Sequence, residues 1–361
     1  MKKFFQLLVA VMIVFSLAAC SADPGNGDGD NGDNGGEEKT SFKVASHNAV
    51  IEGNPYRAVY EQQISEQIAT LEAQGLIEQY NSFVSNLDPA VESQQIEQTI
   101  NEGYDIILVN PISNTGLDPV IEKADEEGII YINADNEYSS NKIINVVVDQ
   151  AEWARIQGEF VIETLGEGAS VVQFNGIDGV SASDVRSQVW VDQLTGAGIE
   201  IVRTVAHGWV DVEAKRLMSE IIASGVQFDG IINQEGAMGI MDAIEESNIG
   251  YPGVISSSEE VVWIRRIAKI NENELVLPFI VVENPPGIGA TALAIGVNLA
   301  QGNTLKSGTL EGAYNSIYYA PQWIMTYDNM DAQLASIADL PDSTSVSNYL
   351  SLSEAKAMYF E

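Results

Sequence analysis

Residues 104–133 read YDIILVNPISNTGLDPVIEKADEEGIIYIN, and this stretch contains the pattern that decides the fold. Tyr104–Val109 is a short, largely apolar run, which predicts a buried strand. The spacing after it predicts a helix over Gly116–Glu127 that ends at Gly128, followed by a second strand over Ile129–Asn133. A strand, a helix and a strand in this order form a βαβ unit, which places two parallel strands in one sheet.

The same order recurs along most of the chain. Further strands are predicted near Phe42–Ala45, Leu76–Val84, Ala169–Phe174, Ile199–Val205, Phe228–Ile232, Val254–Ser257 and Val276–Val282. Further helices are predicted at Tyr56–Ala73, Pro89–Glu102, Gln150–Leu165, Val185–Gly196, Val212–Ala223, Ala237–Ser247 and Ile288–Ala300. About ten strands exceed one comfortable sheet, so the pattern predicts an α/β protein with two lobes, each built on a parallel sheet.

Composition excludes several classes of function. The chain of 361 residues has 17 Lys and Arg against 52 Asp and Glu, a formal net charge of −35. Such a charge repels a phosphate backbone, so we expect no nucleic-acid partner. One cysteine and two histidines leave no disulfide framework, no multi-cysteine metal site and little for histidine-based catalysis. We therefore expect neither a metal nor a cofactor.

The N-terminus has the features of an export signal. Lys2 and Lys3 precede the apolar run Phe4–Ala19, which is too short for a comfortable membrane span. The sequence LAAC at 17–20 resembles the lipobox of bacterial lipoproteins. That resemblance implies a signal peptide over 1–19, acylation of Cys20 and an extracytoplasmic, lipid-anchored protein; an ordinary secretory signal is the alternative. Residues 20–41 are rich in Gly, Asp and Asn and are predicted to be a flexible tether.

In open parallel sheets, ligands bind beyond the carboxyl ends of the strands. The residues at these positions are nearly all polar, and the sequence predicts that they form one ligand-binding rim. They are His47–Asn54, Asn110, Asn133–Asn136, Asn175–Ser183, His207–Asp211, Asn233–Glu235, Ser256–Glu259 and Glu283–Pro286.

Four segments resemble the type I periplasmic binding protein family, in particular the sugar-binding lipoproteins of ribose- and galactofuranose-type ABC transporters. They are GNPYR at 53–57, DIILVNP at 105–111 with LDPV at 117–120, NGIDG at 175–179, and ENPPGIGATAL at 283–293. The resemblance implies two Rossmann-like lobes joined by a three-segment hinge. Lobe 1 would comprise 42–146 plus 283–318, and lobe 2 would comprise 147–282 plus 319–361.

The resemblance also implies a function. A monomeric protein of this family binds a pentose or hexose between its lobes by hinge closure, performs no chemistry and delivers the sugar to an ABC permease. A receptor that presents a sugar or furanose signal to a membrane sensor is one alternative. A glycoside-processing enzyme using Asp184 and Glu235 is a less favoured one.

Carried over residue by residue, the family's ligand positions fall on both lobes. In lobe 1, Tyr56 stands where the family usually has Trp and would stack on the sugar, and Arg57 would donate hydrogen bonds. In lobe 2, Trp209 stands where relatives place an aromatic residue that stacks on the ligand. The alternative for Tyr56 is packing at the helix start, and the alternative for Trp209 is a position in the core. The full set of candidate ligand residues is Asn54, Tyr56, Arg57, Asn133, Asp135, Ser181, Asp184, Arg186, Trp209, Asn233, Gln234, Glu235, Ser258, Glu259 and Glu283. Four choices stay open: Asp135 can substitute for Asn133, and either Asp184 or Arg186 points inward. Either Ser258 or Glu259 occupies the position where the family commonly has Asp or Glu, and Glu283 binds ligand or bridges the lobes.

Overall fold

A computed structural model describes residues 39–52, 55–257 and 259–361. Within them, twelve strands form two six-stranded sheets. The first sheet contains, in spatial order, β11 (Ser316–Tyr319), β5 (Ile144–Val148), β4 (Ile130–Ala134), β3 (Ile106–Asn110), β1 (Phe42–Asn48) and β2 (Ile77–Val84). All of its neighbouring strands are parallel, so their carboxyl ends meet at one edge.

The second sheet contains, in spatial order, β12 (Ile324–Thr326), β10 (Phe279–Val282), β9 (Val254–Ser257), β8 (Gly230–Asn233), β6 (Ser170–Asn175) and β7 (Glu200–Ala206). Its strands are parallel except for β12, which runs antiparallel to β10 at the edge. The predicted α/β class with two parallel-sheet lobes is therefore confirmed.

Helices cover both faces of each sheet. Those on the first sheet are α1 (Pro55–Ala73), α2 (Pro89–Asn101), α3 (Asp118–Glu126), α9 (Ile288–Ala300) and α11 (Leu352–Tyr359). Those on the second are α4 (Gln150–Leu165), α5 (Ser181–Gly196), α6 (Asp211–Ala223), α7 (Ala237–Ser247), α8 (Val261–Ile270) and α10 (Met330–Ser336). We call each sheet with its helices a lobe, lobe 1 for the first sheet and lobe 2 for the second.

The C-terminal segment belongs to both lobes, so its assignment to lobe 2 alone was wrong. Val346 donates its N–H to the carbonyl of Glu259 in lobe 2 at 3.0 Å, whereas the N–H of Leu350 reaches Thr291 Oγ1 in lobe 1 at 3.0 Å. Beyond that point α11 packs on α9, because Leu350, Ala355 and Phe360 bury their side chains in the apolar core of lobe 1. The chain thus crosses between the lobes four times rather than three: after β5, after β10, between β11 and β12, and after Val346.

Three strands and three helices, α8, α10 and α11, were not assigned from the sequence. The strands β5, β11 and β12 are three to five residues long, too short for periodicity to separate them from loops. Helix α8 follows Glu260 directly and buries Val261, Trp263, Ile264 and Ile267 on one face. The apolar residues of α8 have helical spacing, but no helix was predicted for this segment.

The anchoring prediction depends on residues that the structure does not describe. The signal peptide over 1–19, Cys20 and the tether up to residue 38 lie outside the described ranges. In the residues that are described, no helix is both long and apolar enough to cross a bilayer.

The glycines at the start of α9 allow two helices to approach closely. A Cβ added to Gly289 would lie 2.5 Å from Tyr60 Cε2 and 2.9 Å from Ile64 Cδ1, both on α1. Separations of this kind are below van der Waals contact, so only glycine fits without movement of the tyrosine ring. The Gly-Ile-Gly sequence therefore allows α9 to pack closely against α1 in lobe 1.

We predict that Gly289→Ala lowers the free energy of unfolding by about 1–3 kcal/mol, because the added methyl group overpacks the contact with Tyr60. Chemical denaturation followed by circular dichroism measures the change. Gly196→Ala is the matched control: nothing lies within 4 Å of a Cβ at this helical glycine. It should be neutral or stabilise by about 0.4–1 kcal/mol. Equal effects of the two substitutions would contradict the packing argument.

Candidate functional site

The carboxyl-end edges of the two sheets face each other across a cleft. Burial lowers the pKa of Arg186 in lobe 2, and the negative charge of Asp135 in lobe 1 is close enough to oppose that shift. Burial likewise raises the pKa of Tyr56 in lobe 1, and the charge of Glu259 in lobe 2 adds to the effect. Because these interactions join opposite lobes, polar groups from both edges share one desolvated region.

In lobe 1, the side chains of Tyr56 and Asn110 donate hydrogen bonds to Asp135, and Arg57 lies beside them. The Tyr56 hydroxyl donates to Asp135 Oδ1 at 2.8 Å, and Asn110 Nδ2 donates to Oδ2 at 3.3 Å. Arg57 Nη1 donates to the carbonyl of Asn110 at 3.0 Å. Asp135 adopts a positive φ of 78°, a conformation that Asp tolerates better than most residues. The turn therefore aims the carboxylate back toward the start of α1.

Asn133, the other lobe 1 candidate, supports the β4–β5 connection instead. Its Nδ2 donates to Asn145 Oδ1 at 2.9 Å and to the carbonyl of Asn136. Asn145 in turn donates to the carbonyls of Tyr138 and Tyr314. Of the two positions that the sequence left open, the structure brings Asp135 rather than Asn133 together with Tyr56 and Arg57.

In lobe 2, Arg186 lies on the buried face of α5. The buried positions of this helix are Ser183, Arg186, Trp190 and Leu194, at helical spacing. Only 3% of Arg186 is exposed, and its Cζ lies 4.0 Å from the ring centroid of Trp153. Its Nε donates to Gln150 Oε1 at 2.7 Å, and among the described residues its two terminal nitrogens find no hydrogen-bond acceptor. The guanidinium thus keeps unused donors in the cleft.

The other two candidates on α5 face away from the cleft. Ser181 and Asp184 are exposed, and Asp184 Oδ1 accepts from the N–H of Gly179 at 3.1 Å. Asp184 is two residues from Arg186, about 200° around the helix axis, so the two side chains cannot share a face. Ligand-binding roles for Ser181 and Asp184, and a catalytic pairing of Asp184 with Glu235, do not fit this geometry.

Three carboxyl groups follow the neighbouring strands β8 and β9. Glu259 is 2% exposed, and its Oε2 accepts from the N–H of Asn284 at 2.7 Å. Glu260 has a buried Oε2 with no hydrogen-bond partner among the described residues. Burial, together with the nearby Asp211 charge, raises the pKa of Glu235 to about 7 against the opposing effect of Arg186. Burial and the charge of Glu235 also raise the pKa values of Glu259 and Glu260.

Asn233 and Gln234 lie next to these carboxyl groups with unused capacity. Both are fully buried. Asn233 Oδ1 accepts from the N–H of Glu235 at 3.3 Å, and Gln234 Nε2 donates to the carbonyl of Ser183 at 3.0 Å. Asn233 Nδ2 and Gln234 Oε1 remain without a partner among the described residues. Buried polar atoms without a hydrogen-bond partner are rare in native proteins, and a bound ligand or an ordered water molecule often supplies the missing hydrogen bond.

Trp209 lies at the rim of lobe 2, partly exposed rather than in the core. It adopts a positive φ of 59°, and its indole ring covers Gly176 in the β6–α5 loop. A Cβ on Gly176 would come within 2.1 Å of Trp209 Cε2, so the glycine makes room for the ring. The half-buried indole offers an apolar surface beside the polar groups.

Glu283 bridges chain crossings, which resolves the choice left open by the sequence. It is fully buried, and its Oε1 accepts from the N–H groups of Gln322 and Trp323 at 2.6 and 2.8 Å. Its Oε2 accepts from Asn348 Nδ2 at 2.7 Å. Both oxygens are therefore occupied by chain segments that cross between the lobes, and Glu283 is not free to bind a ligand.

The sequence missed two members of the site, Gln150 and Glu260, and two other candidates lie outside the described residues. Gln150 and Asn284 connect Arg186 to Glu259, since Gln150 Nε2 donates to Asn284 Oδ1 at 3.0 Å. Asn284 lies within the predicted rim segment Glu283–Pro286. Gln150 was assigned only as the first residue of a predicted helix, and Glu260 lies directly after a predicted rim segment. Asn54 and Ser258 lie outside the described ranges. Among the described side chains, no group of three or more His, Cys, Asp or Glu residues has the arrangement of a metal site.

Comparisons with known proteins place this geometry in context. A family model described as "Periplasmic binding protein domain" matches residues 50–304. The ribose import binding protein of Bacillus subtilis is 22% identical over 174 residues, which is 46% of this chain and 57% of that protein. The chain thus spans a little over half the length of the curated relatives that it resembles in this way.

Two solved structures share the fold. An ABC transporter solute binding protein from Thermobispora bispora superimposes with a TM-score of 0.71 at 18% identity, over 88% of this chain and 94% of that one. A periplasmic solute binding protein from Actinobacillus succinogenes with bound D-allose gives a TM-score of 0.66 at 17% identity, over 81% of this chain and 100% of that one. At these identities the likeness shows the two-lobed architecture.

The buried carboxyl groups predict how stability depends on pH. Carboxyl groups with a raised pKa bind protons more tightly in the folded state, so their contribution to stability is lost as pH rises through the folded pKa. Burial lowers the pKa values of His47 to about 3 and of His207 to about 4 from an ordinary 6.5, which has the opposite effect below pH 6.5. Above pH 6.5 the histidine effect fades as the imidazoles of the unfolded chain lose their remaining protons, and the effect of the carboxyl groups dominates.

We therefore predict that the free energy of unfolding falls by about 1 kcal/mol or more between pH 6.5 and about 8. Denaturant titrations at several pH values measure the slope. Glu235→Gln should flatten it, because the pKa of Glu235 lies in this window. Glu200→Gln, an exposed position at the amino end of β7, is the control and should leave the slope unchanged. A stability that rises with pH across this window would contradict the assignment.

Proposed function

Because the chain belongs to the family defined by the periplasmic binding protein domain, we propose that it is an extracytoplasmic solute-binding protein of an ABC importer. In this proposal a monosaccharide, a pentose or hexose, binds in the cleft between lobe 1 and lobe 2. Hinge closure brings both lobes onto it, and the protein performs no chemical step. The relatives named as ribose import binding proteins support the substrate class.

The observation that carries the proposal is the set of unused hydrogen-bonding groups at the carboxyl-end edge of the lobe 2 sheet, which faces lobe 1. Arg186 offers donors, Asn233 Nδ2 offers another, and Gln234 Oε1 and Glu235 offer acceptors. A sugar hydroxyl donates one hydrogen bond and accepts others, so a polyol can form hydrogen bonds with both the unused donors and the unused acceptors of the protein. Burial makes these bonds worth more than they would be in water.

The aromatic side chains complement the polar ones. A sugar ring has an apolar C–H face, and Trp209 presents a half-buried indole at the rim. Tyr56 contributes its ring from the opposite lobe while its hydroxyl stays bonded to Asp135. Two aromatic surfaces and a polar interior suit a small hydroxylated ring, and the low entropy cost of ordering aromatic side chains favours binding.

The location and partners follow from the same proposal. Acylation of Cys20 would tether the protein to the outer face of a membrane, where two or three acyl chains give durable anchoring. The permease of the importer would contact the outer rims of both lobes of a monomeric binding protein. Metabolic labelling with a fatty-acid analogue, compared between the native chain and Cys20→Ser, tests the anchor directly.

A binding screen tests the ligand class. Thermal unfolding of the purified protein is measured with pentoses, hexoses, nucleosides and amino acids. A ligand at a hundredfold excess over its dissociation constant stabilises the folded state by about 2.7 kcal/mol, which a melting curve resolves. We expect a shift with one or two monosaccharides. A shift confined to nucleosides or amino acids would overturn the substrate class.

For the sugar that binds, we predict that Arg186→Met weakens affinity by about tenfold or more, because a charged donor contributes about 1.5–3 kcal/mol to a buried hydrogen bond. Titration calorimetry measures the change. Arg203→Met, an exposed arginine on β7, removes the same charge away from the cleft and should bind normally. Equal affinity of the Arg186→Met variant and the native protein would show that the sugar does not contact this part of the cleft.

A further inference from the structure

The cleft holds more negative than positive side chains. Its carboxyl groups are Asp135 in lobe 1 and Glu235, Glu259 and Glu260 in lobe 2. The cations whose charges act on them are Arg57 and Arg186. Four carboxylates against two guanidinium groups leave a formal excess of two negative charges. Buried charges in proteins are normally paired, so this excess needs an explanation.

The topology of lobe 2 concentrates the excess in one place. Strands β8 and β9 are neighbours in the sheet and run parallel, so the segments after them lie side by side. Glu235 follows β8, and Glu259 and Glu260 follow β9. Burial raises the pKa of Glu260, and the charges of Glu235, Asp211 and Glu259 add to the shift, as expected for carboxyl groups on neighbouring strand ends.

These carboxyl groups have unused capacity to accept hydrogen bonds. Among the described residues, Glu259 receives a bond from the N–H of Asn284 on Oε2, and Glu260 Oε2 is buried with no donor. No described residue donates to the carboxylate of Glu235, whose own N–H is bonded to Asn233. These carboxyl oxygens thus receive few hydrogen bonds from the described residues.

Arg186 gives independent support for a ligand between the charges. Its guanidinium is almost fully buried, and the charges of Glu235 and Glu259 act on it more strongly than that of Asp135. Nevertheless, no carboxylate oxygen of the described residues lies within 4.0 Å of its nitrogens. A buried arginine that faces carboxylates without pairing to them leaves room for atoms of a bound molecule between them.

We propose that the ligand is a hydroxylated primary amine, an amino sugar, whose ammonium group binds among Glu235, Glu259 and Glu260. This inference rests on the proposed function and narrows it. An ammonium group has three donors and no acceptor, which matches carboxyl oxygens that receive few hydrogen bonds from the described residues. Its charge offsets half of the formal excess. The hydroxyl groups of the same molecule then face Arg186 and Asp135.

A neutral sugar fits this cluster less well. Its hydroxyl groups can donate to the carboxylates, but the two uncompensated charges remain buried unless protons bind. Burial already raises the pKa of Glu235 to about 7, so a nearby cation would lower it again and release protons on binding. The other titratable or charged groups that face the cluster are Tyr56, Arg57, Asp135, Arg186 and Asp211.

Matched ligand pairs test the proposal. Affinities of the purified protein at about pH 7 are compared by calorimetry for glucose, galactose and ribose, for their amino-deoxy derivatives at each carbon in turn, and for the N-acetylated forms. We expect one amine to bind about tenfold or more tightly than both its parent sugar and its N-acetyl form. Repeating the titration in buffers of different ionisation enthalpy should show proton release.

Variants locate the ammonium group. Glu235→Gln and Glu260→Gln should each reduce the preference for the amine over the parent sugar by about tenfold, whereas the exposed control Glu200→Gln should keep it. Circular dichroism checks the fold of each variant, and either one suffices for the comparison. A parent sugar that binds as tightly as its amines overturns this inference and leaves the proposed function intact. If no sugar or amino sugar binds, the proposed function fails and this inference fails with it.

Discussion

The structure depends on a buried carboxylate at the centre of the hinge. Glu283 ends β10 and accepts three hydrogen bonds, two from the N–H groups of Gln322 and Trp323 and one from Asn348. Its donors lie on the crossing between β11 and β12 and on the C-terminal crossing. Next to it, the side chain of Asn284 binds Gln150 at the start of α4, where the first crossing enters lobe 2. One short segment therefore couples all four crossings, and the relative position of the lobes follows from it.

This hinge also connects directly to the ligand site. Gln150 accepts a hydrogen bond from Nε of Arg186, and the N–H of Asn284 donates to the carboxyl group of Glu259. The hinge therefore orients one basic and one acidic side chain of the cleft. Hydrogen-bonded networks in a poorly solvated region are stiff when every member has a partner. Here the hinge side of the network is satisfied, whereas Arg186 and Glu260 retain unused atoms toward the cleft. The arrangement stabilises the scaffold and leaves the ligand to complete the remaining bonds.

The sequence predicted most of the scaffold because alternating strands and amphipathic helices have clear periodicities. Helices α4, α7 and α9 have the predicted bounds, and the two-lobe division follows from the number of strands. The site was harder, because a side chain's direction at a strand end depends on loop geometry. The positive φ of Asp135 turns its carboxylate toward Tyr56, and the helical phase of α5 buries Arg186 while exposing Asp184. Pairings such as Gln150 with Asn284 join residues 134 positions apart, and local patterns carry no such information.

A double-mutant cycle across the cleft tests most directly whether one ligand contacts both lobes at once. The binding free energy of the tightest ligand is measured for the native protein, for Asp135→Asn in lobe 1, for Arg186→Met in lobe 2, and for the double variant. Because both side chains would contact the same bound molecule, we expect a coupling energy of about 1 kcal/mol or more. Additive effects, with a coupling indistinguishable from zero, would contradict a shared site.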